Sequence, residues 1–465
     1  MISYFYFALN IEVEKLQNLN LSYFISQRIS KGQKEGFASI IHKIAIVSIA
    51  IGLAASIVSF LIMKGFQETV KNKIYSFSGH IIVTKFTMNN SLEEQPMDYN
   101  IDLYNDQKKF PFIDHVQEYA HKAGLLKTED EVLGVFIKGV GKSFDMKAFQ
   151  QNIVEGTFIQ FSDSGYSQQV VLSRTIATKL KTKVGDELVI HFFQNPPRLR
   201  KLKVTGIYET NLSEYFDSRI IIGDIRMIQR LNQWPDSVAG GLEVFVNPDH
   251  FGRNELQSEQ VAQIFQDEML TTPEKILESL GTYLSFDHQQ AAIERSASDI
   301  GEMMDYDLNI EMVKDRYLQV FEWLHLLSRQ VNILLCIILT VVCVNMISIV
   351  LIIVMERTQM IGMLKAVGAS NRLIRSVFVY NGIRLIVKGL LLGDFLGLGL
   401  CFIQDKFKLI PLNPKDYYMA FVPISWHWDI VLILNVLILF IVTVVLLLPT
   451  MVITSINPIR AIKFD

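Results

Sequence analysis

Four apolar runs constrain this chain more than anything else in it. Residues 44–63, 331–355 and 430–453 hold no charged side chain. Each is long enough to cross the hydrocarbon core of a bilayer, which takes about 20 apolar residues in a helix. A fourth run, 385–403, contains Lys388 and Asp394 but is otherwise almost purely apolar. A single segment satisfies all its backbone hydrogen bonds in lipid only as a helix, so the runs predict four transmembrane helices. The first is preceded by 43 residues and followed by no small-residue cleavage site. It reads as an uncleaved anchor, not a signal peptide.

Direction follows from Lys and Arg in the short flanking segments. Lys15, Arg28, Lys31, Lys34 and Lys43 precede the first run. Arg357, Lys365, Arg372, Arg375 and Arg384 lie between the second and third, and Arg460 and Lys463 follow the fourth. The segment 404–429 balances Lys406, Lys408 and Lys415 against Asp405, Asp416 and Asp429. The expected layout is a cytoplasmic N-terminal segment with an amphipathic helix (1–43), span 1 (44–63), an outer domain (64–330) and span 2 (331–355). A cytoplasmic loop (356–384), span 3 (385–403), a short outer loop (404–429), span 4 (430–453) and a cytoplasmic tail (454–465) complete it. Trp323, Trp426 and Trp428 fall just outside the outer ends of spans 2 and 4, the interface that indoles favour.

The outer segment alternates strand and helix signals, an α+β pattern. Strands are expected at 79–86, 132–140, 187–193, 202–208 and 242–246. Helices are expected at 113–123, 173–181, 254–270 and 273–280, and another at 316–329 that runs into span 2. Residues 64–330 carry 28 Lys and Arg against 38 Asp and Glu, which argues against binding nucleic acid or anionic lipid. The three cysteines, Cys336, Cys343 and Cys401, all lie in apolar runs, so the outer domain has no disulfide framework.

Catalytic patterns are missing. Gly141-Lys142-Ser143 follows a strand signal, but Phe136 stands where a phosphate-binding loop needs its first glycine. His115 and His121, six apart, would not share a helix face, and the nine histidines form no zinc signature. Asp163-Ser164-Gly165 lacks the glycines of a nucleophile elbow. No catalytic, cofactor or metal site is expected.

One motif stands out where span 2 ends: Glu356-Arg357-Thr358-Gln359-Met360-Ile361-Gly362-Met363-Leu364-Lys365-Ala366-Val367-Gly368-Ala369-Ser370. Met360, Met363, Leu364 and Val367 follow helical spacing, and Gly368 suits the end of a short amphipathic helix. Its face would rest on lipid headgroups or dock on a protein. Further marks are Gly52, Gly65-Phe66-Gln67 and Gly79-His80-Ile81 around span 1. Others are Leu21-Ser22-Tyr23-Phe24-Ile25 near the start, the stretch 217–224, and Asn457-Pro458-Ile459-Arg460-Ala461-Ile462 near the end. In this combination the chain resembles the FtsX-like permeases of ABC transporters, and among them the lipoprotein-releasing (LolC/LolE type) permeases. The resemblance implies a dimer with a second permease copy or homologue and a cytoplasmic ABC ATPase dimer that binds ATP and Mg. It further implies a bacterial inner-membrane location, lipoprotein cargo and a periplasmic carrier. Glu356, Arg357, Met360, Gly362, Leu364, Gly368 and Ala369 would contact the ATPase, and strokes would pass by mechanotransmission to the outer domain. The carrier-recruiting permease has a long loop between two outer strands, whereas residues 191–203 here hold only a short turn at Asn195-Pro196-Pro197. Alternatives are an exporter of peptides or drugs with a periplasmic adaptor, or a signalling permease that controls cell-wall hydrolysis.

Gly389, Gly393 and Gly397 repeat every four residues, as do Ser48, Gly52 and Ser56, and such small-residue faces allow close helix packing. Lys388 can snorkel to the interface. Asp394 lies too deep for that and is expected to meet a polar partner across the dimer or to line a wet cavity.

Overall fold

The computed structural model describes residues 37–88, 93–128, 131–163, 165–212, 216–266, 271–272, 275 and 286–451. The expected amphipathic helix within 1–43 lies almost wholly outside these residues. The helix at 273–280, apart from Lys275, and the motifs at 21–25 and 457–462 also lie outside them. The described chain forms two compact units. The first comprises residues up to Glu68, Trp323–Pro411 and Phe421 onward; the second comprises Thr69–Glu322 and Leu412–Ala420.

Among the described residues four helices that lie wholly or mainly in the first unit are long and apolar enough to span a bilayer: Phe37–Ser78, Leu318–Glu356, Asn371–Phe407 and Trp428–Thr450. They are spans 1 to 4 below. Span 1, with 42 residues, is about 63 Å long at 1.5 Å per residue, twice the thickness its apolar run requires. Leu53, Ile57, Leu61, Ile353, Ile386, Leu434, Ile438 and Val442 meet in the core. In lipid, helices associate through close packing, not through escape from water. The glycines supply it here. A Cβ on Gly389 would come within 2.8 Å of Ile49 Cβ, one on Gly393 within 2.9 Å of the Ala50 carbonyl oxygen, and one on Gly397 within 3.0 Å of Ala54 Cα. Span 3 thus lies directly on the backbone of span 1. Gly52 faces the other way, toward Val342 and Ile338 of span 2.

The second unit is built on twelve strands among the described residues: β1 (Ile81–Lys85), β2 (Met97–Asp98), β3 (Ile113–Lys127), β4 (Val132–Val140), β5 (Ile153–Gly156), β6 (Gln169–Ser173), β7 (Glu187–Phe192), β8 (Arg198–Tyr208), β9 (Ile220–Asp224), β10 (Val238–Ala239), β11 (Gly241–Val246) and β12 (Leu308–Met312). Ten form one mixed sheet in the order β12-β1-β11-β3-β4-β9-β6-β8-β5, and β7 bridges β8 and β3. The path β3-β4-β9-β6-β8-β7-β3 therefore closes on itself. Its core includes Leu126, Ile137, Val170, Leu188, Ile190, Val204 and Ile221.

One expected element is wrong in kind. Residues 113–123 are not a helix; they belong to the 15-residue strand β3. Its Gln, Glu, Ala and Lys residues favour a helix locally. β3 instead pairs with β11, β4 and β7, and that tertiary pairing overrides propensity. His115 and His121 consequently do share a face, since strand residues an even number apart point the same way.

Replacing Gly393 by Val should force spans 1 and 3 apart and lower stability by about 1–3 kcal/mol, the usual cost of overpacking. Gly399, with nothing within 4 Å of its would-be Cβ, is the control. Thermal unfolding in detergent should shift for Gly393→Val and hold for Gly399→Val.

Candidate functional site

The turn between spans 2 and 3 is a capped helical hairpin. Span 2 ends at Glu356, a short helix occupies Thr358–Ala366, and span 3 begins at Asn371. Gly368 adopts φ +94°, the left-handed conformation that suits glycine just past a helix end. The Gly368 N–H donates to the Lys365 carbonyl (3.0 Å) and the Ala369 N–H to the Leu364 carbonyl (2.9 Å). This pair of bonds satisfies carbonyls the helix leaves open. Ser370 then caps span 3 by accepting from the Leu373 N–H at 3.3 Å.

The hairpin divides the seven residues expected to contact a partner. Glu356 and Gly368 are exposed. Gly362 is buried beside the fully buried Ile361. Met360, Leu364 and Ala369 are half-buried and pack on the membrane core. Arg357 stands at the N-cap, its Nε buried with no hydrogen-bond partner among the described residues. The free apolar face is a different one. Met355 (72% exposed), Met363 (55%) and Val367 (89%) recur at multiples of four residues, with the exposed Gln359 in the remaining place. Helical spacing identified Met363 and Val367 as periodic, but period alone does not say which stripe the core takes.

At its other end, span 1 is clasped by two neighbours. Gln67 donates through Nε2 to Ser328 Oγ (2.5 Å) and to the Leu324 carbonyl (3.3 Å) of span 2. Phe66 meets Trp323 edge-on, with ring centroids 5.7 Å apart. Glu68 accepts from Ser425 Oγ at 2.5 Å and pairs with His427 Nε2 at 2.6 Å, just ahead of span 4. Trp426 Nε1 donates to Asp405 at 3.0 Å. The motif Gly65-Phe66-Gln67 thus marks a joint between helices.

Within the membrane unit, Asp394 has a partner in the same chain: Asn435 Nδ2 of span 4 donates to its Oδ1 at 2.8 Å. A polar partner for Asp394 was expected, and this one lies in the same chain. The partner is 41 residues away, so no local pattern points to it. Lys388 is exposed. Asn345 of span 2 donates to Ser48 Oγ at 2.8 Å, and Ser56 Oγ donates to the Gly52 carbonyl at 2.9 Å. Between spans 1 and 2 runs a groove of about 610 Å³ lined by Ile44, Val47, Ile51, Ile337 and Val341, with Lys43 beside them.

In the sheet unit, Ser143 and Tyr104 both donate to the Glu118 carboxylate, so an acidic group, not a phosphate, occupies the turn after β4. His115 bonds the Ser143 carbonyl at 2.6 Å, and His121 pairs with Glu94 at 2.7 Å. Asp224 caps the helix Ile225–Asn232 and also accepts from the Ser167 N–H at 2.7 Å. Burial pushes the Asp217 carboxyl up, while hydrogen bonds from Thr210 work against that rise. Among the described residues no His, Cys, Asp and Glu cluster is arranged to hold a metal.

Residues 44–250 match the MacB-like periplasmic core domain, and residues 332–458 match the FtsX-like permease C-terminal domain. The lipoprotein-releasing system transmembrane protein LolE of Haemophilus influenzae is 22% identical over 90% of this chain and 93% of its own length. LolC, of the same system, from Neisseria meningitidis serogroup B is 21% identical over 93% and 96%. The periplasmic region of MacB from Actinobacillus actinomycetemcomitans is 13% identical, with a TM-score of 0.29, over 52% of this chain and 92% of that one. The chain carries a MacB-like periplasmic core domain between spans 1 and 2 and an FtsX-like permease domain behind it.

Asn435→Leu should strand the Asp394 carboxylate and destabilise the spans by more than the roughly 0.6 kcal/mol typical of an interhelical hydrogen bond. Asp394→Leu in the same chain should restore stability, which thermal unfolding of both variants in detergent will show.

Proposed function

We propose that this FtsX-like permease is the membrane subunit of an ABC transporter that releases lipoproteins from the bacterial inner membrane, driven by a separate ATPase. The observation that carries the reading is the likeness to lipoprotein-releasing transmembrane proteins over nine tenths of both chains. The groove between spans 1 and 2 supports it, because its apolar lining suits an acyl chain and Lys43 lies beside it. In this reading both termini and the turn between spans 2 and 3 are cytoplasmic, and the sheet unit is periplasmic. Two permeases, alike or homologous, stand over an ATPase dimer that binds ATP and Mg.

The hairpin helix Thr358–Ala366 is the coupling element. Met363 and Val367, with Glu356, Gln359 and Gly368, offer the docking face. Met360, Leu364 and Ala369 hold the helix against the core from behind. Exposed apolar side chains at this spacing fit a groove on a partner, as amphipathic helices do. Between β7 and β8 only residues 193–197 connect the strands. A carrier, if it docks here, meets a sheet surface and not a long loop.

Depleting the protein and measuring lipoproteins in separated inner and outer membranes tests the reading; accumulation in the inner membrane is expected. Unchanged partitioning rejects lipoprotein release. For the docking face, Met363→Asp with Val367→Asp should leave the protein inserted and folded yet weaken ATPase capture by on the order of 30-fold, the effect of losing a contact of about 2 kcal/mol. Leu364→Asp should instead disturb the fold. Co-purification of the ATPase and thermal unfolding separate the two outcomes.

A further inference from the structure

Lys138 lies in β4 beside His121 of β3 and Ile222 of β9, and is 1% exposed. Its ammonium donates to Glu243 Oε1 of β11 at 2.6 Å and to the carbonyl of Phe77. It also stands 4.5 Å from the centre of the Phe77 ring. Phe77 is the next-to-last residue of span 1. Its carbonyl is one of the four that a helix end leaves unpaired, where a cation is favoured by the helix dipole. The other oxygen of Glu243 accepts from Gln117 Nε2 at 2.7 Å, and Gln117 Oε1 accepts from the Asp145 N–H at 3.0 Å. The ammonium and both carboxylate oxygens of this pair are thereby hydrogen-bonded. The Phe77 ring sits 4.2 Å from Phe216, within a cluster that includes Phe149 and Tyr208.

A buried ion pair is a poor way to gain stability, because desolvation offsets most of the attraction and apolar replacements often do as well. Burial alone pushes the Lys138 ammonium toward losing its proton, and Glu243 works against that. What the pair does provide is direction: one ammonium fixes a helix end to two strands at once.

We propose that Lys138, held by Glu243, is a positioning residue that ties the end of span 1 to the sheet, so that displacement of the helix moves the strands without slip. This rests on the permease reading. A continuous helix delivers the stroke along its axis. Lys71 and Lys73 bond the same end of the helix to Asp287 and to the Thr210 carbonyl, and Lys138 ties its last turn to β4 and β11.

The test uses the full complex with its ATPase in proteoliposomes holding a triacylated lipoprotein, with ATP hydrolysis and release measured together. Lys138→Met with Glu243→Gln keeps the volume and the Gln117 bond while removing the charges. Hydrolysis should stay within about twofold of the unaltered protein. Lipoprotein released per ATP should fall about tenfold, within the range usual for coupling between distant sites. A merely structural role would lower both rates together and leave the ratio alone, and an unchanged ratio overturns the proposal. Should the variant not assemble, hydrogen exchange on the unaltered complex decides. The amides of Phe77, Ser78, Gly79 and Gly139 must stay equally protected with and without trapped ATP, and loosening in either state overturns the joint. If the unaltered complex hydrolyses ATP but releases nothing, the lipoprotein reading fails. The exchange result then still judges the joint.

Discussion

The structure of the membrane unit depends on how closely one helix can approach another without water to drive them together. Span 1 is contacted by spans 2 and 3 and by the approach to span 4. Span 3 lies on its backbone through three glycines, span 2 reaches it through Val342 and Asn345, and the approach to span 4 is bonded to Glu68. Each contact uses a different chemistry: close packing, an interhelical hydrogen bond and a histidine–carboxylate pair. All three leave the backbone ladder of span 1 intact, which lipid demands.

Much of this was legible because the signals were global or strictly periodic. An apolar run has few alternatives to a spanning helix, and the glycine repeat of span 3 allows a near neighbour. Strand β4 was read to the residue, because its β-branched and aromatic side chains have little to gain from a helix. The hidden parts are those where a distant residue decides. β3 was misread because its helix-forming side chains are outweighed by three partner strands. Asp394 was given a remote partner because Asn435 is invisible to any local spacing. At the hairpin, Met360, Met363, Leu364 and Val367 were read as one periodic stripe, and period alone does not say which of them the core takes. Ile361 takes the core, turning Met363 and Val367 outward.

The sheet unit shows the opposite economy. Its buried carboxylates join separate elements of the chain. Glu118, Glu243, Asp217 and Asp224 each accept from neighbours that belong to other elements. Such engaged groups hold strands and turns at fixed angles.

The unbroken helix from Phe37 to Ser78 carries one further consequence. A helix is a screw of 3.6 residues per turn, so its length and its bearing are the same quantity. Within this helix Gly52 and Phe77 lie 25 positions apart, and that count fixes the bearing of one side chain against the other. Adding or deleting a single residue between them would swing the far end by about 100°. Over evolutionary time this stretch can hardly change its count. Length here should prove better preserved than sequence.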